Sequence, residues 1–346
     1  MIYIILYLLL LILCSYVIAK SCDVFESSTN YLGRNLSDGV RGATLCAIGS
    51  SMPELLTMVF FLAFATVANL GRDFAASVGT DTGSAIFNSV VIPMLVIWMV
   101  VVVLGLRGVK LSKKVILRDG IFLILAEILL LFLLSSDYIT IWHGLVLIMF
   151  YLVYLSYTLL SMSKDGKKCN FIERKDRWFE VFQFKSETGR VLRSWLLLTL
   201  SVIVMAIACA GLVEGCKSIA VGLGINPLFV ALILVAAVTS VPDTIISIKD
   251  ARQGNYDDSL SNVLGSNIFD ITFSIGFPLT IFLMITNQSI DFVEAGQTLI
   301  DIRIILLVVT TLTLGIYYFS KEMKLKHVLF LGCIYVAFIL YVFGLM

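Results

Sequence analysis

The chain has 346 residues, of which 59% are hydrophobic and 14% charged, and its formal net charge is +1. Soluble domains are about a quarter charged, so the composition excludes a soluble enzyme, a disordered chain and a nucleic-acid binder. The near-zero charge selects no polyanionic partner. What is left is an integral membrane protein whose first partner is the lipid bilayer.

Ten apolar segments are long enough to cross a bilayer: 2–19 (extending toward 30), 40–68, 74–104, 115–134, 139–162, 193–222, 226–248, 258–286, 299–319 and 327–346. The first has no basic n-region and no small-x-small cleavage site, so it reads as a span and not as a signal peptide. Basic residues set the orientation. Segment 105–118 carries Arg107, Lys110, Lys113, Lys114 and Arg118 without an acid, 164–193 carries nine Lys/Arg, and 320–327 carries Lys321, Lys324 and Lys326. The positive-inside rule puts these three in the cytoplasm, and ten spans then leave both termini outside. The polar stretch divides the chain into a first half 1–163, a cytoplasmic loop 164–191 and a second half 192–346. Seven cysteines at irregular spacing form no CxxC pair, and His143 and His327 stand at span ends, where a membrane interface is the plain reading.

Each half of five spans holds a polar patch inside an apolar run. The first reads Gly49-Ser50-Ser51-Met52-Pro53-Glu54, and the second Val238-Thr239-Ser240-Val241-Pro242-Asp243. Each is followed by another patch, Gly83-Ser84-Ala85-Ile86-Phe87-Asn88 and Gly265-Ser266-Asn267-Ile268-Phe269-Asp270. Two paired matches in the same order are an internal repeat. An odd number of spans per half makes the second repeat enter the membrane upside down, and inverted repeats with broken helices mark secondary transporters. Glu54 and Asp243 then approach the midplane from opposite sides.

Helical spacing puts Ser50 and Ser51 on the face of Glu54, and Thr239 and Ser240 on the face of Asp243. Ser84 with Asn88 and Ser266 with Asp270 are i, i+4 pairs. Pro53 and Pro242 lack an N–H, which frees the carbonyls of Gly49 and Val238. Carboxylates, hydroxyls, an amide and carbonyls are hard oxygen donors, suited to Ca²⁺, Na⁺ or K⁺ and not to zinc or copper. A lone Pro or Ser in such a helix is ordinarily structural. A buried carboxylate costs about 2.5–3.5 kcal/mol on insertion scales, so Glu54, Asp243 and Asp270, three carboxylates round one cavity, point to function. Asp81 is placed to face the same cavity but has no acid opposite it in the second half, and Glu127 has no counterpart at all. Asn267 either lines the cavity or bridges helices.

On these motifs the chain resembles the cation/calcium exchanger superfamily, through GSSMPEL with GSAIFN and TSVPDT with GSNIFD. The resemblance implies an all-α protein of ten transmembrane helices in two inverted five-helix repeats, and a transporter that is not an enzyme. It implies no resident cofactor, only transported Ca²⁺, Na⁺ and, in one branch, K⁺. It makes Glu54 and Asp243 the central ligands, with oxygens from Ser50, Ser51, Thr239 and Ser240, backbone carbonyls of Ala47 and Ala236, and Ser84, Asn88, Ser266 and Asp270 completing the cavity. It implies alternating access in a plasma or bacterial inner membrane. Asp243 and the stretch around Asp270 look like the potassium-dependent sodium/calcium exchangers. Thr80-Asp81-Thr82 departs from the apolar pair usual between the glycines. H⁺/Ca²⁺ exchange is the alternative, against which Leu55 and Thr244 stand where that branch has a His. An intramembrane aspartyl protease using Asp243 and Asp270 is a remote rival, since neither acid follows a Gly-x-Gly motif, and a passive channel lacks support from the interrupted helix pairs.

Overall fold

With no water in the hydrocarbon core, every backbone N–H and C=O must find its partner within the protein, and the apolar runs are therefore helices. The computed structural model describes residues 2–32, 47–163 and 187–345. Helix α1 spans Ile2–Leu32. A broken helix follows, α2 Ala47–Ser50 and α3 Met52–Ala63. Next is a long interrupted rod: α4 Leu70–Ile86, a π-helical turn Phe87–Val91, α5 Ile92–Trp98 and a second π turn Met99–Val103. α6 Lys113–Leu134 and α7 Ile141–Ser163 complete the first half.

The second half opens on α8 Glu187–Leu223. Its broken rod is α9 Pro227–Val230, a π turn Ala231–Val235, α10 Ala236–Thr239 and α11 Val241–Arg252. Then come α12 Tyr256–Phe269, a π turn Asp270–Ser274 and α13 Ile275–Thr286. α14 Val293–Phe319 and α15 Leu325–Leu345 close the chain. Two-residue strands β1 Tyr138–Ile139 and β2 Ile290–Asp291 pair antiparallel, and Val109 bridges Met323.

Among the described residues eight helical runs are long and apolar enough to cross a membrane. Two expected spans differ from these for physical reasons. α6 has 22 residues but carries Arg118, Asp119 and Glu127, which dilute its apolar character. The run at 40–68 is cut by the break at Ser51, and α3 alone has 12 residues; its expected start at 40–46 lies outside the described residues. Helix ends also shift. α8 begins at Glu187, inside the stretch assigned to the loop 164–191, because Glu187, Arg190 and Leu192 are sound helix formers. The rest of that loop, 164–186, lies outside the described residues.

α1 and α8 pack side by side and form their own apolar layer, in which Leu11, Cys14, Ile18, Cys22 and Phe25 meet Met205, Cys209, Leu212, Cys216 and Ile219. Both sets step by three and four residues, one stripe per helix. Gly211 and Gly215 bring the backbones close: a methyl on either would stand 3.1 Å from Cys14 Sγ or 3.0 Å from Leu11 Cδ2. The other helices share a second core. Cys14, Cys22, Cys209, Cys216 and Cys333 are free thiols. The histidines do more than sit at an interface. The Thr140 amide donates to His143 Nδ1 at 3.0 Å and the Lys324 amide to His327 Nδ1 at 2.8 Å, so each ring satisfies a free N–H at a helix start.

Candidate functional site

The breaks in the second span of each half are the origin of the site. Pro53 and Pro242 sit in the first turn of α3 and α11, just after helical continuity fails at Ser51 and Ser240. Restarting the helix there puts Glu54 and Asp243 in a first turn, where the helix dipole favours an anion. Both are fully buried, as are Ser51, Thr239, Ser240, Ser84, Asn88, Ser266 and Asp270, and Ser50 is 1% exposed. Ala47 opens α2.

The hydrogen bonds repeat in the two halves and also link them. Ser84 Oγ donates to Glu54 Oε1 at 3.1 Å, and Ser266 Oγ donates to Asp243 Oδ2 at 2.7 Å. Ser84 Oγ lies 2.9 Å from Ser240 Oγ, and Ser51 Oγ lies 2.5 Å from Ser266 Oγ. Thr239 faces Glu54 across the halves, and Ser50 faces Asp243. Each acid therefore takes one serine hydroxyl from its own half, while the two serine pairs, together with Thr239 and Ser50, reach across between the halves. Asn88 Nδ2 donates to Asp243 Oδ2 at 3.0 Å. Its counterpart Asp270 donates nothing. Asp270 stands in the field of Glu54, Asp243 and Asp81, and the Ser51 hydroxyl on its side is already bonded to Ser266.

The vacant lone pairs are the chemically telling feature. Glu54 Oε2, Asn88 Oδ1 and both oxygens of Asp270 are buried without a hydrogen-bond partner. Buried polar groups are nearly always satisfied, and four orphaned oxygens beside Asp243 make a donor set for a hard cation. Among the described residues no three His, Cys, Asp or Glu side chains close into one metal-holding cluster. The donors present are a mixed set of acids, hydroxyls and amides. The Ala236 carbonyl is engaged within its own helix. It accepts the Ser240 amide at 3.0 Å and the Thr239 hydroxyl at 3.2 Å. The Gly49 carbonyl, freed by Pro53, faces the Cys22 thiol at 3.9 Å.

Sequence reasoning missed Asn262, whose Nδ2 lies 3.5 Å from Asp243 Oδ1 and 3.3 Å from Ser247 Oγ. The signal was present: positions 262, 266 and 270 step by four, as do 80, 84 and 88 in the first half. Asn267 bridges helices, donating to the Ala85 carbonyl at 3.1 Å and to Ser89 Oγ at 2.9 Å. Two of the four π turns among the described residues start at or beside the site, at Phe87 and at Asp270. They widen the helix where Asn88 and Asp270 stand, a frequent feature of functional sites. Gly83 lets α4 touch the other broken rod, since a methyl there would run into the Leu232 carbonyl.

An uncharacterized membrane protein of Methanocaldococcus jannaschii, MJ0091, is 29% identical over 68% of this chain and 68% of its own length. The human sodium/potassium/calcium exchanger 3 is 36% identical over 44% of this chain, a match that spans only 22% of that longer protein. Among solved structures, the H⁺/Ca²⁺ exchanger CAX superposes with a TM-score of 0.71 at 14% identity, covering 98% of this chain and 87% of its own. The sodium-calcium exchanger NCX_Mj superposes with a TM-score of 0.59 at 24% identity, covering 96% and 98%. At such identities both likenesses speak for the fold. The family model of the sodium/calcium exchanger protein matches residues 6–160 and 193–344, on either side of the polar stretch, and the chain belongs to that family.

Proposed function

We propose that the protein is a ten-span secondary antiporter that exchanges Na⁺ for Ca²⁺ by alternating access. In this reading Glu54 and Asp243 are the central ligands, with Ser50, Ser51, Ser84, Asn88, Thr239, Ser240, Ser266 and Asp270 supplying further oxygens, and Ala47 and Ala236 flanking the site through their backbones. Family membership already excludes the protease reading, since this is a family of transporters. The observation that carries the proposal is the matched pair of buried acids, Glu54 bonded by Ser84 and Asp243 by Ser266, joined reciprocally across the halves by Ser84 with Ser240 and Ser51 with Ser266, with orphaned oxygens beside them.

Two inverted five-span repeats, 1–163 and 192–346, account for that reciprocity. The short contacts between chain connections agree with ten crossings. β1 joins the connection before α7 to that before α14, and Val109 joins the connection before α6 to that before α15. Each pair lies on one side in a ten-span count, with the Lys/Arg-rich connections together. Both termini then lie outside the cell or organelle membrane that holds the protein.

Na⁺ and H⁺ coupling divide the two structural likenesses. The higher TM-score belongs to the H⁺/Ca²⁺ exchanger, but backbone likeness at that identity carries no coupling ion. The site residues favour Na⁺. Leu55 and Thr244 follow the two acids, and both histidines are occupied in capping helix starts. Potassium enters through Asp270. Glu54, Asp243 and Asp270 carry three negative charges when ionised, Ca²⁺ balances two, and a K⁺ at the unpartnered Asp270 oxygens balances the third. Ca²⁺ uptake by reconstituted protein, with Na⁺, K⁺ and a pH gradient varied separately, tests the reading. Uptake should need a Na⁺ gradient and stop when choline replaces Na⁺; uptake driven by the pH gradient alone overturns Na⁺ coupling.

A further inference from the structure

One charge buried beside the site is neither a ligand nor part of the repeat. Arg303 of α14 is 1% exposed, although an arginine inside a bilayer is among the costliest of residues. Its Nη1 donates to Thr82 Oγ1 at 3.0 Å, while Nε and Nη2 have no partner. Two turns on, Thr310 donates to Glu127 Oε1 of α6 at 2.7 Å, and two turns further the Tyr317 hydroxyl donates to the Ser89 carbonyl at 2.6 Å. Positions 303, 310 and 317 form one stripe that fastens α14 to α4 and α6.

Helix fastening alone does not need a charge. A Gln at 303 could meet Thr82 without stranding a guanidinium. The charge finds its reason in Asp81, next to Thr82 on α4. Asp81 is fully buried and neither of its oxygens has a hydrogen-bond partner. It feels the field of Glu54 and that of Arg303, and it also acts on Asp270. It stands one turn before Ser84, at the wall of the ion cavity. Arg303 acts on two acids, first Glu127, whose Oε2 is unpartnered, and then Asp81.

We propose that Arg303 is a resident, non-exchanged cation of the transport pathway: it holds the counter-charge of Asp81 and cancels one unit of the negative charge that the cavity presents to the transported ion. The inference rests on the antiporter reading. A guanidinium keeps its proton at neutral pH and is fixed to the chain, so this charge is present at every step of a cycle, whereas Na⁺, K⁺ and Ca²⁺ come and go. The polar Thr80-Asp81-Thr82 and the buried arginine are then two parts of one feature, an acid at the cavity wall and the base that offsets it.

The test is the Ca²⁺ concentration for half-maximal uptake by the reconstituted full chain at fixed Na⁺. A unit charge close to a divalent ion changes its binding by about tenfold or more. Asp81→Asn removes one negative charge from the cavity wall while the guanidinium stays, and should raise the half-saturating concentration by about that factor. Arg303→Gln should lower it. Arg303→Lys, which keeps the charge, and the double variant Asp81→Asn with Arg303→Gln, which restores the balance, should both fall within about twofold of the parent. Shifts in the same direction for the two single variants, or no shift in either folded protein, overturn the proposal; a purely structural role would lower the folded yield of both without opposite shifts. If Arg303→Gln does not fold, Asp81→Asn and Arg303→Lys decide, the first having to shift and the second not. A parent protein that takes up no Ca²⁺ would be a separate result, against the antiporter reading itself.

Discussion

Replacing Asp243 by Asn removes one charge and little else. The carboxylate accepts from Ser266 Oγ at 2.7 Å, Asn88 Nδ2 at 3.0 Å and Asn262 Nδ2 at 3.5 Å. An amide offers one acceptor oxygen in place of two. If that oxygen keeps Ser266 and Asn88, the long Asn262 contact is lost and the Ser50 contact is altered; the opposite orientation loses two bonds to a charged group, worth about 1.5–3 kcal/mol each. Against this, removing a charge from the membrane interior relieves about 2.5–3.5 kcal/mol on insertion scales. The net change stays within about 3 kcal/mol in either direction, so the variant should still fold. The ion term has no such offset. A divalent ion about 4 Å from a unit charge at an effective dielectric of about 20 gains about 8 kcal/mol. Even a quarter of that weakens binding about thirtyfold. Na⁺-driven uptake of radioactive Ca²⁺ into liposomes, at matched amounts of folded protein, should therefore fall to background. Uptake at the parental rate would refute the assignment of Asp243 as a ligand.

Other outcomes follow from the same geometry. Asp270→Asn makes the second half match the first, where Asn88 stands, and should abolish any K⁺ requirement while Ca²⁺ uptake survives; parent uptake that is indifferent to K⁺ would remove potassium from the cycle. Gly83→Ala drives a methyl into the Leu232 carbonyl, a backbone atom that cannot rotate away, and should cost about 1–3 kcal/mol, read as a lower melting temperature in detergent; unchanged melting would mean that the two rods are not pressed together there. Gln288→Cys should react with an impermeant thiol reagent applied from outside and Lys175→Cys should not, and the reverse pattern would invert the orientation.

The heart of the site is legible in the paired motifs, because a buried carboxylate next to a proline is costly and a costly feature repeated in order is informative. Glu54 with Ser84 and Asp243 with Ser266 meet as the repeat implies. What stays hidden lies between halves distant in sequence. The serine exchange, Ser51 with Ser266 and Ser240 with Ser84, depends on how the rods cross. The π turns at Phe87 and Asp270 are an extra residue per turn decided by packing, with no local composition to announce them. Asn262 is readable from its four-residue step to Ser266. Arg303 is not, since nothing in α14 alone says that Thr82 and Asp81 stand across from it. The span at α6 shows the opposite effect: Arg118 bonds Asp119 at 2.7 Å, and Glu127 is met by Thr310, so charges that make the segment look poorly apolar are matched inside the bundle.

The central claim is that the two broken helices hold one cation between them. Crystals of the protein soaked in Sr²⁺, a heavier stand-in for Ca²⁺, test it directly through anomalous scattering. A peak is expected between Glu54 and Asp243, within about 2.3–2.7 Å of the orphaned Glu54 oxygen and of neighbouring hydroxyl or amide oxygens, and it should be lost in Asp243→Asn. A Sr²⁺ peak elsewhere in the bundle, or one between these helices that survives Asp243→Asn unchanged, would contradict the claim.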